Sequence, residues 1–370
     1  MLPHPPLWLI LVAFVCALGP LVFFHELGHY LAGRLFKIPA ETFSIGFGRE
    51  LIGWTDKQGT RWKIAWLPLG GYVKFVGDMG PASEPVDIES IPVEDRDRAF
   101  QLRPVWQRFL VVLAGPAANF LLAILIFTAF FALFSAPFIN TIGKIQPNSA
   151  AAVAGLQRGD RIVAVGGKPT PTFGDIRAAV EEKPNQVVRL DVERQGAVVP
   201  MQIRLGTDEA LDDGGKKVRI GLLGVSPAAA PLTQAVPMAF SYTAKVTGWI
   251  VQSVGKLIIG QGSREEVGGP IKIAQIAGQA ASLGALPFVQ LLALFSINLG
   301  FINLLPVPLL DGGHLFFYAI EAVRRRPLSA RALDWAFRGG LAVILALVAF
   351  TTINDLGSLG LWDQLQRLIG

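Results

Sequence analysis

The chain has 370 residues, of which 52% are hydrophobic and only 16% are charged, and its formal net charge is +5 at pH 7. Soluble domains carry about 25% charged residues, so this composition excludes a disordered or fibrous chain and indicates that lipid covers part of the surface. The basic excess needs no nucleic-acid partner, because positive loops beside anionic lipid headgroups account for it.

Four uncharged, apolar segments are candidates for membrane-spanning helices. They lie at residues 7–24, 109–134, 285–305 and 339–354. A helix needs about 20 apolar residues to cross the hydrocarbon layer, so three segments are long enough and the fourth needs its flanks. We expect the first segment to be retained, because no basic residue precedes it as in a signal peptide.

The basic residues beside these segments predict the orientation of the chain. With four spans, the loops at 37–104 and 306–334 lie on one side of the membrane, and both termini and the long loop from 137 to about 282 lie on the other. Basic residues near the membrane concentrate in the first pair, so the positive-inside rule makes those loops cytoplasmic. These residues are Arg34, Lys37, Arg98, Arg103, Arg108, Arg324, Arg325, Arg326, Arg331 and Arg338.

The first apolar segment runs into FFHELGHYLAG, which contains His25, Glu26 and His29. Histidines at positions i and i+4 leave one face of a helix, so both imidazoles can bind one ion. Glu26 stands next to the first of them and can take a proton from water on that ion. The arrangement predicts zinc-dependent hydrolysis of peptide bonds. The alternative is a pair of interfacial histidines beside a snorkelling glutamate.

The third apolar segment ends in NLLPVPLLDGGHLFF, which brings Asp311 and His314 near membrane depth. Its two prolines break the helix, and freed backbone groups are tolerated at that depth only around a cavity. A catalytic zinc usually takes three protein ligands. Asp311 is therefore the preferred third ligand and His314 the second choice, whereas His4 lies on the wrong side of the membrane. A helix N-cap is the alternative role for Asp311.

These motifs resemble those of the site-2 proteases, which are intramembrane zinc metalloproteases, and most closely the bacterial branch that processes anti-sigma factors. HELGH at 25–29 is similar to the HExxH of that family, and NLLPVPLLDGG at 303–313 is similar to its NxxPxPxLDG. The segments FSIGFG, LPLGGYVKF and GPAANF also resemble family motifs. The resemblance implies one Zn²⁺ per chain, held by His25, His29 and Asp311, with Glu26 as the base.

The resemblance also implies a location and partners. It places the chain in the bacterial cytoplasmic (inner) membrane, with the active site towards the cytoplasm and the large outer loop in the periplasm. The implied substrate is a single-pass membrane protein of the anti-sigma-factor type, cut within its transmembrane segment after a first cleavage outside it. Leftover signal peptides are a further implied substrate.

Residues 64–75, which include Gly70 and Gly71, are rich in apolar, β-branched and aromatic side chains and predict a hairpin or strand against the membrane. An exposed strand edge could hold an unwound substrate by strand addition, and the resemblance implies such a re-entrant element. A structural hairpin that seals the cytoplasmic face is the alternative.

Three further polar or small residues are candidates for binding the substrate. Gly115 and Asn119 lie one helical turn apart, which puts a close-packing notch and an amide on one face. Asn119 and Asn303 are candidates for holding the substrate backbone or the oxyanion. Ordinary interhelical contacts are the alternative for each of them.

The outer loop predicts a separate domain. Short β-like runs lie at 141–145, 161–165, 187–193 and 198–205, with a helix near 173–182. Within it, GLQRGDRIVAVGGKP resembles the PDZ segment GLxxGDxIxxVNG. PDZ domains bind peptides by strand addition, so this domain either binds a substrate tail or excludes bulky substrates. The helical segment at 235–259 then lies on the outer leaflet or packs under the domain.

We therefore predict a multi-pass α-helical membrane protein with about four transmembrane helices, a membrane-associated β element and one α+β PDZ-like domain. Two other functions stay open. A catalytically inactive, membrane-anchored PDZ adaptor would have no need of Glu26, and a metal transporter would need an ionisable relay that spans two and four lack. The predicted domains are 1–36 (first transmembrane helix with HExxH), 37–104 (cytoplasmic loop with re-entrant hairpin), 105–136 (second transmembrane helix), 137–226 (PDZ-like), 227–282 (amphipathic segment), 283–323 (third transmembrane helix with LDG) and 324–370 (fourth transmembrane helix and tail).

Overall fold

The computed structural model describes residues 5–77, 93–211, 217–261 and 268–358. The chain forms two compact units. One unit consists of Met1–Ala123 and Thr243–Gly370, and the other is Ile124–Tyr242. Two long helices, at 105–133 and 232–258, each begin in one unit and end in the other.

Four of the described helices are long and apolar enough to span a membrane. The fourth is longer than its 16 uncharged residues because charged and polar flanks continue the helix to 29 residues. The number of candidate spans therefore agrees with the sequence analysis, and their insertion into a membrane stays a prediction. The four helices are α1 (Leu7–Leu35), α3 (Val105–Leu133), α8 (Ala285–Asn303) and α10 (Ala330–Ser358); a short helix, α2 (Val93–Arg96), lies between the first two.

Two long antiparallel strands follow α1, namely β1 (Ala40–Thr55) and β2 (Arg61–Phe75). Residues 40–45 pair with residues 71–75 on one side, and residues 42–45 pair with residues 61–64 on the other, so the hairpin folds back on itself. Among the described strands, none pairs with the outer side of residues 71–75. The end of β2 is therefore a free sheet edge.

Gly70 and Gly71 lie inside β2 and do not form a turn, since Gly71 pairs with Ile45 of β1. Of the two structures predicted for residues 64–75, the strand is therefore the correct one, and the hairpin is formed by the larger segment 40–75. The backbone bends at Gly46 and at Gly48, where φ is +89° and +86°. These values lie in the left-handed region that favours glycine.

The turn of the hairpin is tied to α1 through Asp56. Its carboxylate accepts hydrogen bonds from Trp62 Nε1 at 2.9 Å and from Tyr30 Oη at 3.3 Å. Phe43 stacks on the Trp62 ring with a centroid distance of 4.2 Å, and Phe43 and Tyr30 are both buried. Because Tyr30 follows His29 in the chain, this cluster connects the β element directly to the helix that carries HELGH.

The third predicted transmembrane segment, 283–323, contains two helices. Helix α8 ends at Asn303 and α9 (Asp311–Arg324) begins at Asp311, with Pro306 and Pro308 between them. Proline lacks an amide hydrogen and clashes with the preceding turn, which explains the interruption. Before α8 comes α7 (Pro270–Ser282), whose first turn is capped by Asp355 of α10, because Gly269 N and Lys272 N donate to that carboxylate at 2.9 and 3.0 Å.

The second unit has an α+β fold. The bounds from residue 142 to residue 258 are β3 Ile142–Ile145, α4 Ala150–Val153, β4 Arg161–Val165, β5 Lys168–Pro169, α5 Phe173–Glu181, β6 Val187–Arg194, β7 Ala197–Arg204, β8 Gly206–Leu211, β9 Lys217–Leu222, β10 Val225–Pro227 and α6 Leu232–Ile258. The strands form a sheet in the order β5-β4-β6-β7 and two pairs, β10-β3 and β8-β9. Buried residues alternate along β6, and the core contains Ile142, Leu190 and Ile203, with the buried face of α5 packed on it.

The buried carboxylate of Asp160, in the loop before β4, makes the stability of this unit sensitive to acid. Asp160 is 2% exposed and accepts from Arg194 at 2.6 and 2.8 Å and from Gln157 N at 2.8 Å. The hydrogen bonds from Arg194 hold the pKa of Asp160 below its usual range. The pair therefore stabilises the fold above the ordinary aspartate pKa of about 3.9, and this stabilisation is lost as the pH falls through the lower, folded-state pKa.

We expect Asp160→Asn to increase hydrogen exchange of the β4 amides by on the order of tenfold at pH 7, because charge-assisted hydrogen bonds are lost. The difference from the parent should shrink as the pH is lowered below about 4. Asp191→Asn is the matched control, because the partner of Asp191, Arg189, has a side chain that is 62% exposed. An equal effect of both substitutions at pH 7 would contradict this account.

Candidate metal centre

Three side chains of the first unit bring their donor atoms together at one point. His25 and His29 leave the same face of α1, and their Nε2 atoms are 3.3 Å apart. Asp311, the first residue of α9, places Oδ2 3.0 Å from His25 Nε2 and 3.5 Å from His29 Nε2. Within the described parts of the chain, these residues form the group of His, Cys, Asp and Glu donors close enough to share an ion.

The geometry and chemistry of this triangle fit zinc. Tetrahedral zinc with bonds of about 2.0–2.2 Å holds its ligand atoms about 3.3–3.6 Å apart, close to the three distances between the donor atoms. Asp311 Oδ2 is buried and has no hydrogen-bond partner, since its contact with His25 Nε2 lacks hydrogen-bond geometry. An unpartnered buried carboxylate oxygen is costly, and a metal ion would satisfy it. Two imidazoles and one carboxylate also leave a fourth position for water or substrate.

The backbone of α3 orients one of the two imidazoles. His29 Nδ1 lies 2.9 Å from the carbonyl oxygen of Val111. A carbonyl can only accept, so Nδ1 carries the proton and Nε2 keeps its lone pair for a metal. Such outer contacts fix the tautomer and the ring orientation of histidine ligands. His25 has a different neighbour at Nδ1, the side-chain amide of Asn119 at 3.1 Å.

Glu26 lies beside the three donors and under the free edge of β2. It is 8% exposed. A Cβ atom at Gly71 would come within 2.9 Å of Glu26 Cγ, so the strand can pass this closely only because residue 71 has no side chain. A cavity of about 510 Å³ opens here. Its lining includes His25, Glu26, His29, Gly70, Gly71, Asn303 and Asp311.

The other residues named from the sequence have different positions. Asn303 lines the cavity with Nδ2 3.5 Å from His25 Nε2, whereas Asn119 is fully buried and does not line it. His314 also lines the cavity, but its ring contacts Tyr318 and Phe337 and it is not part of the donor group. The structure thus brings Asp311, and not His314, to the histidine pair.

Comparison with known proteins supports the same chemistry. The family model described as peptidase family M50 matches residues 13–347. The chain belongs to peptidase family M50. A protein of Agrobacterium fabrum named "putative zinc metalloprotease" is 42% identical over 366 residues, which cover 94% of this chain and 96% of that protein. The metalloprotease MmpA of Caulobacter vibrioides is 37% identical over 380 residues, covering 94% and 95%.

These matches confirm the resemblance to the site-2 proteases and the expectation of a zinc metalloprotease. Among solved structures, a PDZ domain of an SdrC-like protein from Listeria monocytogenes covers 23% of this chain and 82% of its own, at 17% identity and a TM-score of 0.18. That score is too low to bear on the fold of the second unit.

One feature of the site in this M50 peptidase was not predicted from the sequence. Arg108 at the start of α3 donates to Glu321 of α9 at 2.6 Å, and its guanidinium lies 4.8 Å from the centre of the Tyr318 ring. The side chains of Arg108 and Glu321 are 9% and 17% exposed. The pair holds α9, and with it Asp311, against α3. Arg108 stood out in the sequence only as a basic residue near a membrane segment.

Gly115 of α3 makes room for the second histidine. A Cβ atom there would lie 2.2 Å from His29 Nε2, so alanine must displace the ring. We expect Gly115→Ala to lower the cleavage rate of the M50 peptidase by about 100-fold, the scale expected for a misplacement of about 1 Å. Alanine has a higher helix propensity than glycine, so helix propensity alone would not predict a loss of activity.

Gly19→Ala in α1 is the control for Gly115→Ala, because a Cβ atom at Gly19 meets nothing within 4 Å. Its cleavage rate should match that of the parent. Equal rates for the Gly115 variant and the parent would show that the missing side chain at residue 115 does not set the position of His29.

Proposed function

We propose that this M50 peptidase is an intramembrane zinc endopeptidase that hydrolyses a peptide bond within the transmembrane segment of a single-pass membrane protein. The proposed substrates are of the anti-sigma-factor type, trimmed first by another protease, with remnant signal peptides as a second class. One observation carries the proposal. The donors of His25, His29 and Asp311 converge within 3.5 Å of one another beside Glu26, and both histidines lie on α1, a helix apolar enough to span a membrane.

The residues of this chain can supply each proton and contact that the reaction needs. A bound zinc ion, one per chain, would activate water and polarise the scissile carbonyl. Glu26 accepts the proton of the attacking water and delivers it to the leaving amide nitrogen as the C–N bond breaks. Asn303 Nδ2, which faces the cavity, is placed to donate to the carbonyl oxygen as negative charge develops there.

The free edge of β2 addresses a difficulty specific to this substrate class. The carbonyl groups of a transmembrane helix are hydrogen-bonded along the helix and shielded from attack. Residues 71–75 have an unpaired side among the described strands and line the same cavity as Glu26. An extended substrate segment added to this edge would exchange its helical hydrogen bonds for strand hydrogen bonds. We therefore assign Gly70 and Gly71 to substrate binding.

Location and further partners belong to the same proposal. Basic residues concentrated in the two loops assigned to the cytoplasm support a site that opens towards that side of the bacterial inner membrane. The α+β unit would then face the periplasm. There it would bind the trimmed outer tail of the substrate or exclude untrimmed substrates by their size.

The test uses the full chain reconstituted in liposomes with a single-pass reporter whose outer part is short. We expect products cut within the apolar segment of the reporter, identified by mass spectrometry. Cleavage should stop when zinc is removed with a chelator and resume when zinc is restored. Cleavage only outside the apolar segment, or cleavage unaffected by zinc removal, would contradict the proposal. Tail binding without cleavage would favour an adaptor.

A further inference from the structure

Asn119 carries two unusual features in one side chain. It is fully buried in α3, and its Oδ1 atom has no hydrogen-bond partner. Its Nδ2 atom lies 3.1 Å from His25 Nδ1. Buried polar atoms in proteins nearly always have partners, so the unpartnered oxygen of Asn119 requires an explanation.

The chemistry of His25 indicates which end of the Asn119 amide should face the ring. A neutral imidazole that binds a metal through Nε2 carries its proton on Nδ1, which makes Nδ1 a donor. The amide nitrogen of Asn119 is also a donor, so the contact as it stands joins two N–H groups. With its proton on Nε2 instead, His25 would have no lone pair for the ion that its Nε2 faces.

A half-turn of the Asn119 amide about its terminal bond removes the conflict. The rotation exchanges Oδ1 and Nδ2, which are nearly alike in size, and leaves every other atom in place. The position without a partner then belongs to Nδ2, and the contact with His25 becomes a hydrogen bond. Oδ1 then lies about 3.1 Å from His25 Nδ1 and accepts its hydrogen bond.

We propose that Asn119 is a positioning residue of the zinc site, whose Oδ1 accepts from His25 Nδ1 and so keeps the Nε2 lone pair directed at the ion. The proposal rests on the proposed function. It gives His25 the same support that His29 has from the Val111 carbonyl. Both acceptors come from α3, so one helix orients the two imidazoles of the other.

This role replaces direct contact with the substrate, which the sequence had suggested for Asn119. The side chain is fully buried and is absent from the cavity lining. The amide therefore faces His25 and lies outside the cavity. A separate contact involves only the backbone of Asn119, whose carbonyl oxygen accepts from Ser296 Oγ of α8 at 2.7 Å.

The test is the zinc affinity of the full chain in detergent, measured by competition with a chelator of known affinity. We expect Asn119→Leu, which has a similar volume and no acceptor, to bind zinc 10–100-fold more weakly, the range measured for such outer contacts. Asn119→Asp keeps an oxygen acceptor and should stay within about threefold of the parent. Ser296→Ala, which leaves the amide intact, should bind as the parent does. Melting temperatures in excess chelator should agree between the Leu variant and the parent.

Several outcomes would overturn the proposal. Parent-like zinc affinity in the Leu variant would remove the positioning role, whatever its melting temperature. An Asp variant that folds but binds zinc as weakly as the Leu variant would show that the amide nitrogen makes the contact. If the Asp variant does not fold, the zinc affinities of Asn119→Leu and Ser296→Ala still show whether the Asn119 amide supports zinc binding. A parent that binds no zinc would instead overturn the proposed function itself.

Discussion

Glu26→Gln should abolish cleavage and leave zinc bound. Glutamine preserves the size of the side chain, which is 8% exposed beside His25 and His29, but it cannot accept a proton from water. General acid–base catalysis contributes about 10²–10⁴-fold to enzyme rates, so we expect at least about a 10³-fold loss of kcat because one carboxylate serves both proton transfers. The measurement is the single-turnover rate on the liposome reporter, together with zinc content.

The matched control for Glu26→Gln is Glu41→Gln. Glu41 lies on β1, forms an ion pair with Lys74 at 2.7 Å, and has a side chain that is 42% exposed. Surface ion pairs of this kind contribute little, so the control should cleave at the parental rate. Parental cleavage by the Glu26 variant would exclude Glu26 as the base, and loss of zinc from it would mean that Glu26 is a ligand.

Asp311→Ala should lose both zinc and activity. The carboxylate supplies one of three donor atoms, and its Oδ2 has no hydrogen-bond partner. Structural zinc sites bind with about 10–16 kcal/mol shared among their ligands, so the loss of one donor should weaken zinc binding by at least about 100-fold. Zinc content of the purified chain, measured by mass spectrometry after dialysis, checks this expectation.

His314→Gln is the comparison for Asp311→Ala, because His314 lies one helical turn further along α9 and lines the same cavity. Its ring packs against Tyr318 and Phe337 and is outside the donor group. We expect it to retain zinc. Retention of zinc by the Asp311 variant and loss by the His314 variant would reverse the assignment of the third ligand.

The position of the histidine pair could be read from the sequence because it depends on helix geometry alone. Residues i and i+4 share a face in any α-helix, and α1 continues without interruption from the apolar segment through His25 and His29. Asp311 needed more information, since a contact across almost 300 residues has no local signal. The family motif and the break at two prolines indicated it, and the structure places its oxygen at the histidines.

The pairing of the β element could not be predicted in the same way. Strand propensity identified residues 64–75 as extended, but residues 40–45 pair with both ends of β2. That register depends on bends at Gly46 and Gly48 and on contacts of Phe43 and Trp62 with α1, which are tertiary effects. Sheet register is set by such burial patterns and turns.

The contact partner of Asn119 also could not be predicted from the sequence. Its spacing from Gly115 correctly predicted that both face the same way from α3, and the structure places both against the histidines of α1. Which partner each would meet depends on how closely α1 and α3 pack, which the spacing does not contain. In the second unit, short β-like runs and one helical stretch predicted β3, β4, β6, β7 and α5 to within one residue at each end, whereas α4, β5, β8, β9 and β10 were not predicted.

The most direct measurement of the metal centre is anomalous diffraction at the zinc edge from crystals of the full chain. We expect one zinc peak per chain, about 2.0–2.2 Å from His25 Nε2, His29 Nε2 and Asp311 Oδ2. A peak bound by other donors, or one bound by the two imidazoles with the carboxylate of Asp311 more than about 4 Å away, would contradict a zinc site assembled from α1 and the start of α9.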